Sequence, residues 1–146
     1  MTVITEVTVE VFIQATEESE KIKTAVKNLF PPEMRDGIKF AVERLRGVFH
    51  NPIKVVKVKA TANTEEIIKY LTQQLTEADK EYLKESLSRR IAKGKLFLRL
   101  GKQELYQGHM ELKEIKDMVK VCIKFAPHYS KDKVLVEILQ ELGLIN

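Results

Sequence analysis

The chain has one cysteine, no tryptophan, six glycines and four prolines in 146 residues. With Cys122 alone, no internal disulfide framework can form, and that usage fits a reducing compartment. The three histidines, His50, His109 and His128, stand far apart, with neither paired cysteines nor a His-x-x-x-His spacing to suggest a metal site. No Gly-x-Ser-x-Gly elbow is present, and Gly94-Lys95 and Gly101-Lys102 lack the remainder of a phosphate loop. No apolar run approaches the ~20 residues that a bilayer-spanning helix needs. Residues 1–6 carry neither the basic flank nor the apolar stretch of a signal peptide. These gaps set the expectation of a cytoplasmic protein that is not an enzyme and has no cofactor, metal or membrane partner.

What is present is ordinary for a globular protein: 44% hydrophobic and 32% charged residues, which fit a single domain over 1–146. The net charge of +4 decides little, but its distribution is uneven. The balance is +5 over residues 35–60, +6 over 87–102 and +3 over 119–133, while the intervening blocks are negative. The positive blocks coincide with segments that read as strands. Abundant lysine and glutamate also suit surface ion pairing at high temperature, which competes with any reading of a cationic surface.

Val3, Thr5, Val7, Val9, Val11 and Ile13 alternate with Ile4, Glu6, Thr8, Glu10 and Phe12, predicting a long strand with one apolar face. Thr16 is expected to cap an acidic-headed helix with Ile22, Ala25, Val26 and Leu29 as its stripe, ended by Pro31-Pro32. A strand from Ile38, slipping through a bulge at Arg44-Leu45-Arg46, and a strand over 53–61 form a long-looped hairpin. Asn63-Thr64-Glu65-Glu66 fits a capping box, and Thr76 opens a second helix with Ala78, Leu83, Leu87 and Ile91 facing inward, stopped by Gly94. Leu96, Leu98 and Leu100 then alternate with Lys95, Phe97 and Arg99. A short strand over 109–112, a clear one over 119–125 and a last helix capped by Ser130 and stopped by Gly143 complete the chain. The order β-α-β-β-α-α-β-(α)-β-β-α predicts an α+β fold, a single-layer antiparallel sheet with helices packed on one face. The other face is then left for water, a partner subunit or a ligand.

Between Arg89 and Lys102 lie six basic residues and no acidic one. A ring flanked by Lys95 and Arg99 on one strand face can stack a base while the cations hold phosphates. The plainer reading places Phe97 beneath a helix, with the cations reaching past it to water. Lys54, Lys57, Lys59, Lys120 and Lys124 also alternate as a solvated sheet face would. The stretch Lys93-Gly94-Lys95-Leu96-Phe97-Leu98-Arg99-Leu100 partly matches the RNA-recognition-motif signature. Lys95 and Leu100 stand at expected aromatic positions and the strand order differs, which rules that family out.

Leu96-Phe97-Leu98-Arg99-Leu100-Gly101-Lys102-Gln103-Glu104-Leu105-Tyr106-Gln107-Gly108 resembles a signature of a small archaeal family described as RNA-binding proteins and predicted exosome subunits. The connection ending His50-Asn51-Pro52, the opening Phe12-Ile13-Gln14-Ala15-Thr16-Glu17 and the closing Leu142-Gly143-Leu144-Ile145 fit it too. The resemblance implies the fold of the large-subunit ribosomal protein that contacts 5S rRNA, and a role in RNA processing or exosome-type decay. The expected function is a non-catalytic RNA-binding module. Its expected contacts are Arg89, Arg90, Lys93, Lys95, Phe97, Arg99, Lys102 and Gln103, joined by His50 and Asn51 and with Tyr106 as a second stacking ring. The alternative is an interaction or scaffold subunit, a homodimer through a sheet edge or the uncovered face.

Overall fold

The computed structural model describes residues 3–46, 52–114, 117–129 and 131–145, with Arg46 described in its backbone only. The strands are β1 (Ile4–Ile13), β2 (Ala41–Arg46), β3 (Pro52–Ala60), β4 (Ile91–Ala92), β5 (Lys95–Leu100) and β6 (Val119–Phe125). The helices are α1 (Ser19–Lys27), α2 (Thr64–Gln74), α3 (Glu77–Glu85), α4 (Lys102–Tyr106) and α5 (Asp132–Leu142), with 3-10 turns at Pro32–Gly37, Leu87–Arg89 and Pro127–Tyr129. The six strands form one antiparallel sheet in the order β2-β3-β1-β6-β5-β4.

Strand alternation sends one set of side chains to each face. On one face Val7, Val9, Val11, Ile13, Leu96, Leu98, Leu100, Val119, Val121 and Ile123 are buried. Against them pack Ile22, Ala25 and Val26 of α1, Ile67, Ile68 and Leu71 of α2, and Leu135, Ile138 and Leu139 of α5. Burying each large aliphatic side chain contributes about 1.5–3 kcal/mol, and this row of contacts holds the helices to that face. The other face carries Glu6, Thr8, Glu10, Lys57, Lys59, Lys95, Phe97, Arg99, Lys120, Cys122 and Lys124, all at least partly open to solvent. The expected α+β layout is therefore the observed one.

Local details differ from the expected ones, each for a physical reason. Residues 14–17 close as a turn, with Glu17 N donating to Gln14 O, so α1 begins at Ser19 after Glu18 and Thr16 does not cap it. The register irregularity lies in β1 between Ile4 and Glu6, whereas β2 pairs regularly through Arg44 and Leu45. As the sheet's edge strand, β2 tolerates an exposed Val42 and Leu45, so its apolar residues need not alternate. No capping box forms at α2. Asn63 adopts φ 55° without a side-chain cap, and Thr64, buried, donates instead to Ile4 O at 2.7 Å.

Thr76 does cap α3, accepting from Asp79 N at 3.1 Å. That helix ends at Glu85 rather than running on to Ile91. Lys93 and Gly94, at φ 51° and 75°, then form the two-residue turn of a β4–β5 hairpin, which requires positive φ at both positions. Gly94 is thus a hairpin residue, not a helix stop. The 109–112 strand reduces to one bridge, Leu100 to Leu112. α5 follows Lys131, and the proposed Ser130 cap lies outside the described residues. Gly143, at φ 85°, ends α5 as expected.

Candidate nucleic-acid interface

Register determines which charges meet on the open face. Lys95 of β5 sits opposite Lys124 of β6, Phe97 opposite Cys122, and Arg99 opposite Lys120. One strand further, Lys124, Cys122 and Lys120 face Glu6, Thr8 and Glu10 of β1. Beyond β1, Lys59 is opposite Thr8 and Lys57 opposite Glu10. The two β1 glutamates stand between two sets of lysines and lean toward β3, giving Lys57–Glu10 at 3.7 Å and Lys59–Glu6 at 3.6 Å. Lys95, Arg99, Lys120 and Lys124 form no ion pair among the described residues. Like charges directly opposite on neighbouring strands destabilise a sheet, and here two such pairs stand side by side. Phe97 lies half-buried between them, with the Lys120 ammonium 5.3 Å from its ring centre.

Arg89 and Arg90 approach this face from the turn that precedes β4. The bond from Phe97 N to Arg90 O, at 2.8 Å, fastens Arg90 beside β5. The side chains of Arg89, Arg90, Phe97, Arg99 and Lys120 border an open cleft of about 330 Å³. Glu114 reaches the same place because segment 111–113 runs along the outer edge of β5, with Lys113 N bonded to Arg99 O and Gly101 N to Glu111 O. Its carboxylate accepts from Tyr82 Oη at 2.5 Å and from Arg90 Nη2 at 2.8 Å, and lies 3.3 Å from Arg89 Nη2. The Tyr82 hydrogen bond first, then the charges of Arg89, Arg90 and Arg99, hold the Glu114 carboxyl below its ordinary pKa.

The expected contacts divide between two places. Arg89, Arg90, Phe97 and Arg99 come together at the cleft, Lys95 lies along the same strand face, and Lys93 is exposed at the hairpin turn. Lys102 does not join them. It is buried, and its ammonium donates to Phe12 O at 2.7 Å, to Glu17 at 3.0 Å and to Asp117. Three acceptors occupy its three protons, so it acts as a tie between β1, the turn before α1 and the chain before β6. Gln103 and Tyr106 line a separate cleft of about 280 Å³ beside α1, where the Lys21 ammonium covers the Tyr106 ring at 4.8 Å. His50 and Asn51 lie outside the described residues.

Lys120 and Lys124 were not among the expected contacts. Their alternation was legible, but their juxtaposition with β5 depends on strand order, which the alternation does not encode. Glu114 and Tyr82 gave no signal at all. Lys54, grouped above with the sheet-face lysines, turns to the helix side and donates to Ser19 Oγ at 3.2 Å. Cys122 shares the cationic face, yet burial raises its thiol pKa against the opposing pull of Lys95 and Lys120.

An open antiparallel sheet with helices on one face, and with cations that form no ion pair among the described residues around a ring on the other, is the layout of this α+β domain. The chain belongs to the family described as RNA binding, whose profile matches residues 6–125. RNA-binding protein PAB1135 of Pyrococcus abyssi is 31% identical over 137 residues, spanning 91% of this chain and 89% of that one. The crystal structure of protein AF2318 from Archaeglobus fulgidus, a DUF54 protein, superposes with a TM-score of 0.81 at 29% identity, covering 95% of this chain and 99% of that one. Mth689 of Methanothermobacter thermautotrophicus, another DUF54 protein, gives 0.78 at 26% identity over 97% and 98% of the two chains. Among the described residues no helix is long and apolar enough to cross a membrane.

Proposed function

We propose that this protein is a non-catalytic RNA-binding module that engages single-stranded RNA across β5 and β6. The observation that carries the reading is the unpaired quartet Lys95, Arg99, Lys120 and Lys124 around Phe97. Two like-charge pairs held face to face raise the local potential, and bound phosphates relieve it. The half-buried ring offers a stacking surface that any base can use. Family membership and the printed name of the Pyrococcus relative support the same reading. The cleft is lined by arginines, Lys120 and a hydrocarbon ring, with the Glu114 carboxylate tied at its rim by Tyr82, Arg89 and Arg90, a lining that suits holding RNA rather than cutting it. A cytoplasmic place in an RNA-processing or exosome-type assembly belongs to this proposal and rests on the family resemblance alone.

Fluorescence anisotropy with a labelled single-stranded RNA tests it. If about four phosphates are neutralised, the log–log salt slope is near −3, and affinity falls about 50-fold between 50 and 200 mM salt. No detectable binding at the lower salt, or binding indifferent to Arg99→Ala with Lys120→Ala, would overturn the reading.

A second reading has one observation in its favour. At the far end of the same face, Phe12 and Leu45 are 44% and 42% exposed, next to β2, an edge strand with unpaired backbone groups. That edge suits a second copy or a protein partner, and sedimentation equilibrium decides the first case. A monomer at high micromolar concentration removes the homodimer.

A further inference from the structure

The Arg89–Arg90–Tyr82 cluster is built as an anion cup, and the anion now in it is the protein's own. Arg90 is buried, and its guanidinium is fixed before any ligand arrives. Its Nε donates to Ser86 Oγ at 2.6 Å, and its Cζ lies 5.3 Å from the centre of the Tyr82 ring. Ser86 in turn donates to Tyr82 O at 2.7 Å, so the floor of the cup is one hydrogen-bonded unit. Arg89 and the Tyr82 hydroxyl converge on the same point from the solvent side, with Arg89 Nη2 3.3 Å from Tyr82 Oη. Glu114, whose side chain is 44% exposed, fills that point from the rim. An anion from solution therefore meets a preformed site guarded by a single accessible carboxylate.

A carboxylate is a poor match for so many cations. It carries one charge on two oxygens, whereas Arg89, Arg90, Arg99 and Lys120 all border the cleft. A phosphomonoester carries close to two charges and three terminal oxygens. It also suits arginine's forked donors better than an internal phosphodiester does, since a diester has one charge and needs a groove open at both ends. The cleft's 330 Å³ is room for one nucleotide, with Phe97 on its wall to stack the base.

We propose that this cup and its cleft take the terminal phosphomonoester of an RNA end, in the place now filled by the Glu114 carboxylate. The inference rests on the RNA-binding reading above and narrows it to chain ends. Glu114 then acts as a competing internal anion that turns away ligands too weakly charged to displace it.

The test is competition anisotropy with one RNA sequence in three forms: 5′-monophosphorylated, 3′-phosphorylated and unphosphorylated. The expected result is about tenfold tighter binding of one phosphorylated form over the unphosphorylated one. Arg89→Gln, at an exposed position, is expected to abolish that preference without unfolding the protein, as checked by circular dichroism. Glu114→Gln is expected to tighten the preferred phosphorylated form at least threefold and to leave the unphosphorylated form within twofold. Equal binding of all three forms overturns the inference and leaves the RNA reading standing. Weaker binding of the phosphorylated form by Glu114→Gln also overturns it, because the carboxylate would then be orienting the arginines rather than competing for them. Failure of every form to bind removes the RNA reading and this inference with it.

Discussion

The two halves of the open sheet face carry the same kind of residue and arrive at opposite electrostatic states. On the β1–β3 half, Lys57 and Lys59 are each matched by a β1 glutamate within 4 Å. On the β5–β6 half, Lys95 faces Lys124 and Arg99 faces Lys120, and the same two glutamates, though opposite Lys124 and Lys120 in the register, form their ion pairs with β3 instead. Exposed pairs of the first kind contribute about 0–1 kcal/mol to stability and present little net field. The second arrangement gives up a little stability and keeps its field. The difference teaches that lysine number alone does not set the charge state of a sheet face. What sets it is which side of the acidic strand the lysines occupy.

The largest expected effect comes from removing charge on the uncompensated half. Arg99→Ala with Lys120→Ala should weaken RNA binding by about 30-fold at 50 mM salt, at roughly 1 kcal/mol per charged contact. The matched double variant Lys57→Ala with Lys59→Ala should change it no more than about threefold in the same anisotropy titration. Phe97→Ala should cost about 1–3 kcal/mol of binding if one base stacks there. It should also flatten any difference between bases without altering the salt slope.

Stability measurements sharpen the contrast from the other side. Lys102→Ala should destabilise the fold by about 1–3 kcal/mol in urea melts, because Phe12 O and Glu17 lose their donor. RNA affinity should stay within about twofold, as Lys102 does not reach the open face. Arg99→Ala, in contrast, should leave stability unchanged or raise it by up to about 0.5 kcal/mol, since it relieves a like-charge pair.

The smallest effect is one of pH. The Glu114 pKa is depressed in the folded protein, so its contribution to stability is full above the ordinary carboxylate value of about 4.3 and fades as pH falls through the lower folded value. Glu114→Gln should remove that part of the acid sensitivity, so the variant melts slightly lower than the parent at neutral pH and the two converge in acid below the folded value.

Much of this was legible in the sequence, and the limits are physical. Alternation in β1, β5 and β6 gave the correct inward residues because a buried face demands a period of two. The α3 boundary was lost because Leu87 and Ile91 keep a helical spacing while serving a 3-10 turn and a strand. The Lys93-Gly94 pair is a hairpin signal only once β4 is known to precede it. Lys102 read as a surface cation because nothing local shows that Glu17 and Asp117 converge on it from opposite ends of the chain. Lys120 and Lys124 became part of the site only through the placement of β6 between β1 and β5.

The most direct test of the central claim is amide chemical-shift mapping with a short single-stranded oligonucleotide RNA. The shifts should cluster on residues 89–99 and 119–124, leaving Ile53–Ala60 still. Shifts concentrated on Ile53–Ala60, or spread evenly over both halves of the face, would contradict it.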